Sequence, residues 1–207
     1  MKHKLLAVAL LAVSGAANAG LSFNQLSTAT RTEAFNVATL PGYAVGTTLS
    51  LGSLVTNEQG TVTFTYLGQE SGFNDKFYLT IGTTQILTEN PIGTQASAFV
   101  SSLGPISFKF EGNTGKFARN GGVWDTGTSI GLIGTNMTVA TGLAAGTYQY
   151  VIGYNDSAGA ATPGDWDDYV VGVNFTPAVP EPEIYAMMGL GLGLMGWASR
   201  RRKQQAA

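Results

Sequence analysis

The chain of 207 residues contains no cysteine, so its fold rests on no disulfide and offers no thiolate to a metal or a substrate. Its one histidine is His3. Everything from residue 20 onward therefore lacks histidine as well, which excludes Ser-His-Asp and Cys-His nucleophile systems and the usual zinc ligand sets. Charged residues make up only 12% of the chain, while Gly, Thr, Ser and Asn abound, a composition of strands and turns rather than of helices. No internal repeat and no low-complexity tract stands out. Between residues 20 and 179 no stretch sustains a helical period; Ala29–Ala38 comes nearest, and even there no helix is expected. Without cross-links the fold must rest on its apolar core, and a domain of roughly 160 residues is large enough, since it buries about two-thirds of its unfolded surface.

Positive charge is sparse in the middle and concentrated at the ends, in Lys2 and Lys4 and in Arg200, Arg201, Arg202 and Lys203. Residues 20–179 hold 11 acids against 5 bases, a net charge of −6. Such a body has the wrong sign for nucleic acid, which is not expected as a partner. The sign of that charge suits divalent cations instead.

Both ends read as addresses. Lys2-His3-Lys4 precedes an apolar run from Leu5 to Val13, followed by Ala17-Asn18-Ala19 before Gly20. A basic start, a short apolar segment and small residues at the −3 and −1 positions describe a signal helix cleaved after Ala19, with the Sec translocon as its partner. At the other end Val179-Pro180-Glu181-Pro182-Glu183 is followed by an apolar run from Ile184 to Ala198 and then by the Arg200–Lys203 cluster. As a helix this run spans about 22 Å, short of the roughly 30 Å hydrocarbon core. It reads as a marginal transmembrane helix, helped by Trp197 near one interface and by snorkelling arginines. Positive charge stays cytoplasmic, so the body before it lies outside.

The order of these three unlike parts over residues 179–203 resembles the PEP-CTERM sorting signal, with Pro180, Glu181 and Pro182 as its motif and Arg200, Arg201 and Arg202 as its basic end. The resemblance implies processing by an exosortase, a membrane-embedded transpeptidase-like protease, near Pro180-Glu181-Pro182. It also implies a Gram-negative host that makes extracellular polysaccharide: an inner-membrane precursor inserted transiently through the C-terminal helix, then a protein of the surface, matrix or biofilm.

Between the ends, residues 20–178 alternate apolar and polar positions in short runs. These are Thr61–Leu67, Lys76–Ile81, Ile106–Phe110, Thr147–Tyr154 with Tyr148, Tyr150, Ile152 and Tyr154 on one face, and Tyr169–Phe175; Tyr43–Leu51, Gln85–Thr88 and Ser129–Ile133 are weaker. Period two with β-branched and aromatic residues means half-buried strands, and Gly/Asn clusters such as Asn120-Gly121-Gly122 supply turns. About eight strands at this spacing predict an all-β domain, an antiparallel two-sheet sandwich of jelly-roll-like character.

Two motif matches dissolve in context. Gly127-Thr128-Ser129-Ile130-Gly131 fits a nucleophile elbow, which needs a histidine base and a strand-turn-helix setting; it reads as a Gly-rich β connection. Gly191–Gly196 fits a dinucleotide fingerprint but lies inside the apolar tail, with no strand before it. The informative cluster is Asn155-Asp156 followed by Asp165-Trp166-Asp167-Asp168. On an extended chain Asp165 and Asp167 share a face while Asp168 points away, and Asn155 or Asp156 approaches them if Thr147–Tyr154 pairs with Tyr169–Phe175. Oxygen-only ligands on a loop are what Ca2+ takes; the alternative is a solvated acidic turn. The segments Asp165–Val171 and Tyr66–Phe77 resemble pieces of other exported β domains. Trp124, Trp166, Tyr43 and Phe73 fall in or near loops, where aromatics stack on sugars or simply pack.

These observations predict an exported, non-enzymatic surface or matrix protein with a structural or binding role. The alternatives are a calcium-dependent carbohydrate-binding or adhesive module, and a glycoside hydrolase working with carboxylates alone.

Overall fold

The computed structural model describes residues 20–32, 37, 40, 45–82, 85–88, 91–112, 115–156, 164–179 and 187–195. Thirteen strands lie among them: β1 (Leu21–Thr30), β2 (Thr48–Thr56), β3 (Gly60–Gly68), β4 (Lys76–Leu79), β5 (Gln85–Thr88), β6 (Gln95–Val100), β7 (Gly104–Pro105), β8 (Phe108–Glu111), β9 (Phe117–Arg119), β10 (Val123–Trp124), β11 (Ser129–Val139), β12 (Gly146–Asn155) and β13 (Tyr169–Pro177). They form an eight-stranded sheet in the order β1-β2-β11-β12-β13-β3-β6, with β7 on β2, and a five-stranded sheet in the order β10-β9-β8-β4-β5. Every pairing is antiparallel. The protein is the expected all-β sandwich, built from more strands than the eight foreseen.

The alternating runs explain the core. Val62, Phe64 and Tyr66 of β3, Phe77 and Leu79 of β4, Phe108 and Phe110 of β8, and Tyr169, Val171, Val173 and Phe175 of β13 all enter one buried cluster between the sheets. Phe64, Phe77, Phe108 and Phe110 touch one another at centroid separations of 4.7–6.0 Å, within the range in which aromatic pairs add to area burial. Asn120 closes the seam. Its amide donates to the Leu54 and Ile106 carbonyls at 2.7 and 2.8 Å and accepts from Leu54 N at 2.9 Å, so a side chain in a turn satisfies the backbone where β2 meets the smaller sheet.

Three expectations are corrected. β1 was not foreseen, because an edge strand exposed along most of its length carries no alternation to read. The strand anticipated at Tyr43–Leu51 begins at Thr48 and runs to Thr56. Tyr148 does not share the core face of Tyr150, Ile152 and Tyr154; it joins a second cluster with Val151 and Val170 on the outer side of the large sheet. There its ring lies where a Cβ of Gly172 would be. The β12–β13 ladder stops at Tyr150↔Val173, and beyond it side chains replace backbone partners: Gln149 N donates to Asn174 Oδ1 and Phe175 N to Gln149 Oε1.

Among the described residues there is one helix, α1 (187–195), with Met187, Leu190, Leu194 and Met195 exposed. At about 1.5 Å per residue it spans roughly 13 Å, and among the described residues no helix is long and apolar enough to cross a membrane. The signal segment with Ala17 and Ala19, and the sorting residues Pro180, Glu181, Pro182, Arg200, Arg201 and Arg202, lie outside the described residues.

Candidate functional site

The charged loops gather at one end of the sandwich. Strand β3 ends just before Glu70, β12 ends just before Asp156, β4 begins just after Asp75, and β13 begins just after Asp168. Antiparallel pairing of β12 with β13 and of β13 with β3 brings these termini together, so the sheet itself collects the acids.

Two groups result. In the first, carboxylate oxygens of Glu70, Asp165 and Asp167 lie within 4.8 Å of one another, with Glu70 exposed, Asp165 half-buried and Asp167 buried. Glu70 N donates to the Asp167 carbonyl at 2.8 Å, which fixes the Glu70 loop against the Asp165–Asp168 loop. Arg31, whose side chain is buried, stands with its guanidinium 3.8 Å from Asp167 Oδ1. In the second group Asp168 Oδ2 accepts from Asp156 N at 2.8 Å, with Asp75 and the Tyr154 hydroxyl nearby across Gly112. Burial first, and then the Asp156, Asp165 and Asp75 carboxylates, push Asp168 up to about 8 against the opposing pull of the Asp156 N–H. Burial and the surrounding acids likewise raise Tyr154, and burial with Tyr66 and Asp75 raises Tyr169. Proximity of like charge makes each further ionisation harder.

The sequence-predicted residues therefore separate. Asp165 and Asp167 meet; Asp156 and Asp168 meet in the neighbouring group; Asn155 pairs with Ser129 at the end of the β11–β12 ladder and lines a different cavity. Glu70 completes the first group and was missed as a site residue, although it sits in the Tyr66–Phe77 segment already singled out. Nothing local marks it, because its role depends on the β3–β13 pairing.

Trp166 is buried, at 3% exposure, and so is not presented to a sugar. Its indole N–H donates to Ser129 Oγ at 2.7 Å, and its ring covers Gly131, where a Cβ would sit 2.8 Å from it. Ser129 thus serves as an anchor for the loop. Beside it, a cavity of about 410 Å3 lies between Ala29, Thr30, Gly127, Asn155, Gly164 and Trp166. Trp124 is half-buried in β10, Phe73 is exposed, and Tyr43 lies outside the described residues.

Fold and loops together define an all-β sandwich with acids crowded at one pole and an apolar helix, exposed along its described length, beyond its last strand. Residues 178–203 match the family model described as the PEP-CTERM protein-sorting motif: the chain carries that motif and is an exported protein, anchored in the membrane before an exosortase processes it. No curated protein and no solved structure matches the chain.

Proposed function

We propose that the sandwich is a non-catalytic structural or binding module, delivered to the surface or polysaccharide matrix of a Gram-negative cell by removal of its tail. The observation that carries this reading is where the motif begins. Strand β13 ends at Pro177 and the motif opens at residue 178, with Val179 already exposed and no residue of α1 in any core cluster. Cutting there costs the fold nothing. A body without histidine or cysteine, whose Ser129 hydroxyl is occupied by an indole N–H, supports a role that needs no nucleophile. Mass spectrometry of the native protein is expected to find Gly20 as its first residue and a C-terminus near Pro180–Pro182, in the matrix or surface fraction. The substitution Glu181→Ala is expected to leave precursor in the inner membrane. Release of that variant with an unchanged C-terminus would sink the reading.

A second reading, a calcium-dependent module, is favoured by the Glu70, Asp165 and Asp167 oxygens. Three carboxylates against one guanidinium leave two negative charges, which a divalent cation would neutralise, and carboxylate loops are the donors Ca2+ takes. Binding to the folded state alone raises stability by RT ln(1 + [L]/Kd). Millimolar Ca2+ is therefore expected to raise the melting temperature of the full chain, and Asp165→Asn with Glu70→Gln to abolish the rise. An unchanged melting temperature in the parent removes the metal from the account.

A further inference from the structure

The bases of the body are as segregated as its acids. Apart from buried Arg31, the residues from 20 to 179 contain four, Lys76, Lys109, Lys116 and Arg119, and all stand on or beside the small sheet. Register decides what its outer face shows. Phe77, Leu79, Phe108, Phe110 and Ala118 point into the core, so Lys76, Tyr78, Lys109, Glu111, Phe117 and Arg119 point out, with Tyr78 opposite Lys109 and Lys109 opposite Arg119. Like charges on directly opposed residues destabilise a sheet. Here each cation is held by a ring: Lys109 Nζ lies 4.4 Å from the Tyr78 centroid and the Arg119 guanidinium 5.3 Å from that of Phe117. Lys109 also pairs with Glu111 along its own strand.

At one end of this face a cavity of about 330 Å3 is lined by Thr80, Ser107, Phe108, Lys109 and Arg119. Its volume is at the lower end of the roughly 300–1,000 Å3 typical of small-ligand sites. Two cations beside the Thr80 and Ser107 hydroxyls, which are hydrogen-bonded to each other at 2.6 Å, suit a sugar that carries a carboxylate. Arg119, exposed at the rim, supplies the planar fork that matches a carboxylate with two donors. Outward-facing Lys76 and Tyr78 on one side and exposed Val123 on the other continue the strip beyond the cavity, as a polymer would require.

We propose that the outer face of the small sheet binds an acidic polysaccharide, one whose sugars carry carboxylates, with Lys109, Arg119, Thr80 and Ser107 receiving one acidic unit. The proposal deepens the binding role assigned above and rests on delivery of the body to a polysaccharide environment. A second copy is the poorer occupant: of its Glu70, Asp165 and Asp167 only Glu70 is exposed.

The test measures binding of the full chain, in mild detergent and at low salt, to polygalacturonate, dextran sulfate, neutral dextran, poly-glutamate and single-stranded DNA. Polygalacturonate is expected to bind, to weaken as salt rises, and to lose at least tenfold in affinity with Lys109→Gln plus Arg119→Gln, while Arg119→Lys, which keeps the charge and loses the fork, retains only part of it and Glu58→Gln, at the pole opposite the acids, changes nothing. The single exposed substitution Arg119→Gln, at unchanged melting temperature, guards against a misfolded double variant and should weaken binding severalfold. No binding by the parent, equal binding by the folded double variant, or equal binding of neutral dextran overturns the proposal. Tighter binding of dextran sulfate reassigns the anion, and tighter binding of poly-glutamate or DNA, or self-association lost in Glu70→Gln, reassigns the partner; each likewise overturns it. Localisation of the mature protein is read separately, so failure of delivery and failure of this face are distinguishable.

Discussion

Asp168 shows what a crowded acid does to a folded protein. Its carboxyl titrates near 3.8 when unperturbed and near 8 in the fold, burial being the main cause and the neighbouring carboxylates adding to it. The folded chain therefore holds a proton that the unfolded chain has released between those values, and stability must fall as pH rises across that window, being fully present only below it. With divalent cations chelated, the melting temperature of the full chain is expected to decline from pH 4 towards pH 8. Asp168→Asn keeps an oxygen for the Asp156 N–H but removes the titration, so it should flatten the curve and leave the variant the more stable of the two at pH 8. Parallel curves would mean that Asp168 is not the group responsible. At this scale the sequence was informative about which residues mattered and silent about their pairing. The spacing of Asp165 and Asp167 places them on one face, but only burial reveals that Asp168 behaves as a different kind of acid.

Elements became legible in proportion to how asymmetrically they are buried. Strands β3, β4 and β13 each present one face to the core and read cleanly as alternation, and so does most of β12. Strands β1, β9 and β10 are exposed or very short, and nothing in their residues separates inside from outside. The segment carrying Asp165–Asp168 is positioned by an element-level device: Gly131 and Gly153 are direct partners across β11 and β12, and their missing side chains leave the bed on which Trp166 and its carbonyl lie. A Cβ at Gly153 would meet the Trp166 carbonyl oxygen, which is backbone and has little room to yield. Gly153→Ala is expected to destabilise the full chain by about 1–3 kcal/mol, the usual cost of overpacking a filled site. It should also shift tryptophan emission to the red as Trp166 lifts towards water. Denaturant melts and fluorescence identical to the parent's would show that the loop is not seated there.

For the whole molecule, the two ends were the most legible part of the chain, since an ordered series of unlike segments survives without any knowledge of the fold; the acidic pole was the least, since it is assembled by β12, β13 and β3 from positions far apart in sequence. The separation of body from tail carries its own expectation. Because none of the described residues beyond Pro177 contributes to a core cluster, removing 180–207 should leave the melting temperature within about a degree of the intact chain's, a change of only a few tenths of a kcal/mol. A larger drop would mean that the tail packs on the sandwich.

Both departure points of the sandwich converge on one turn. Asn57 N donates to the Gly20 carbonyl, and Ala178 N donates to the Gln59 carbonyl, so the leader and the tail leave from neighbouring places beside the β2–β3 connection. The acids stand at the far end of β3, nine residues and about 30 Å away. A precursor still held by its tail is therefore moored at the pole opposite its carboxylate-rich crown, like a buoy tied at its base.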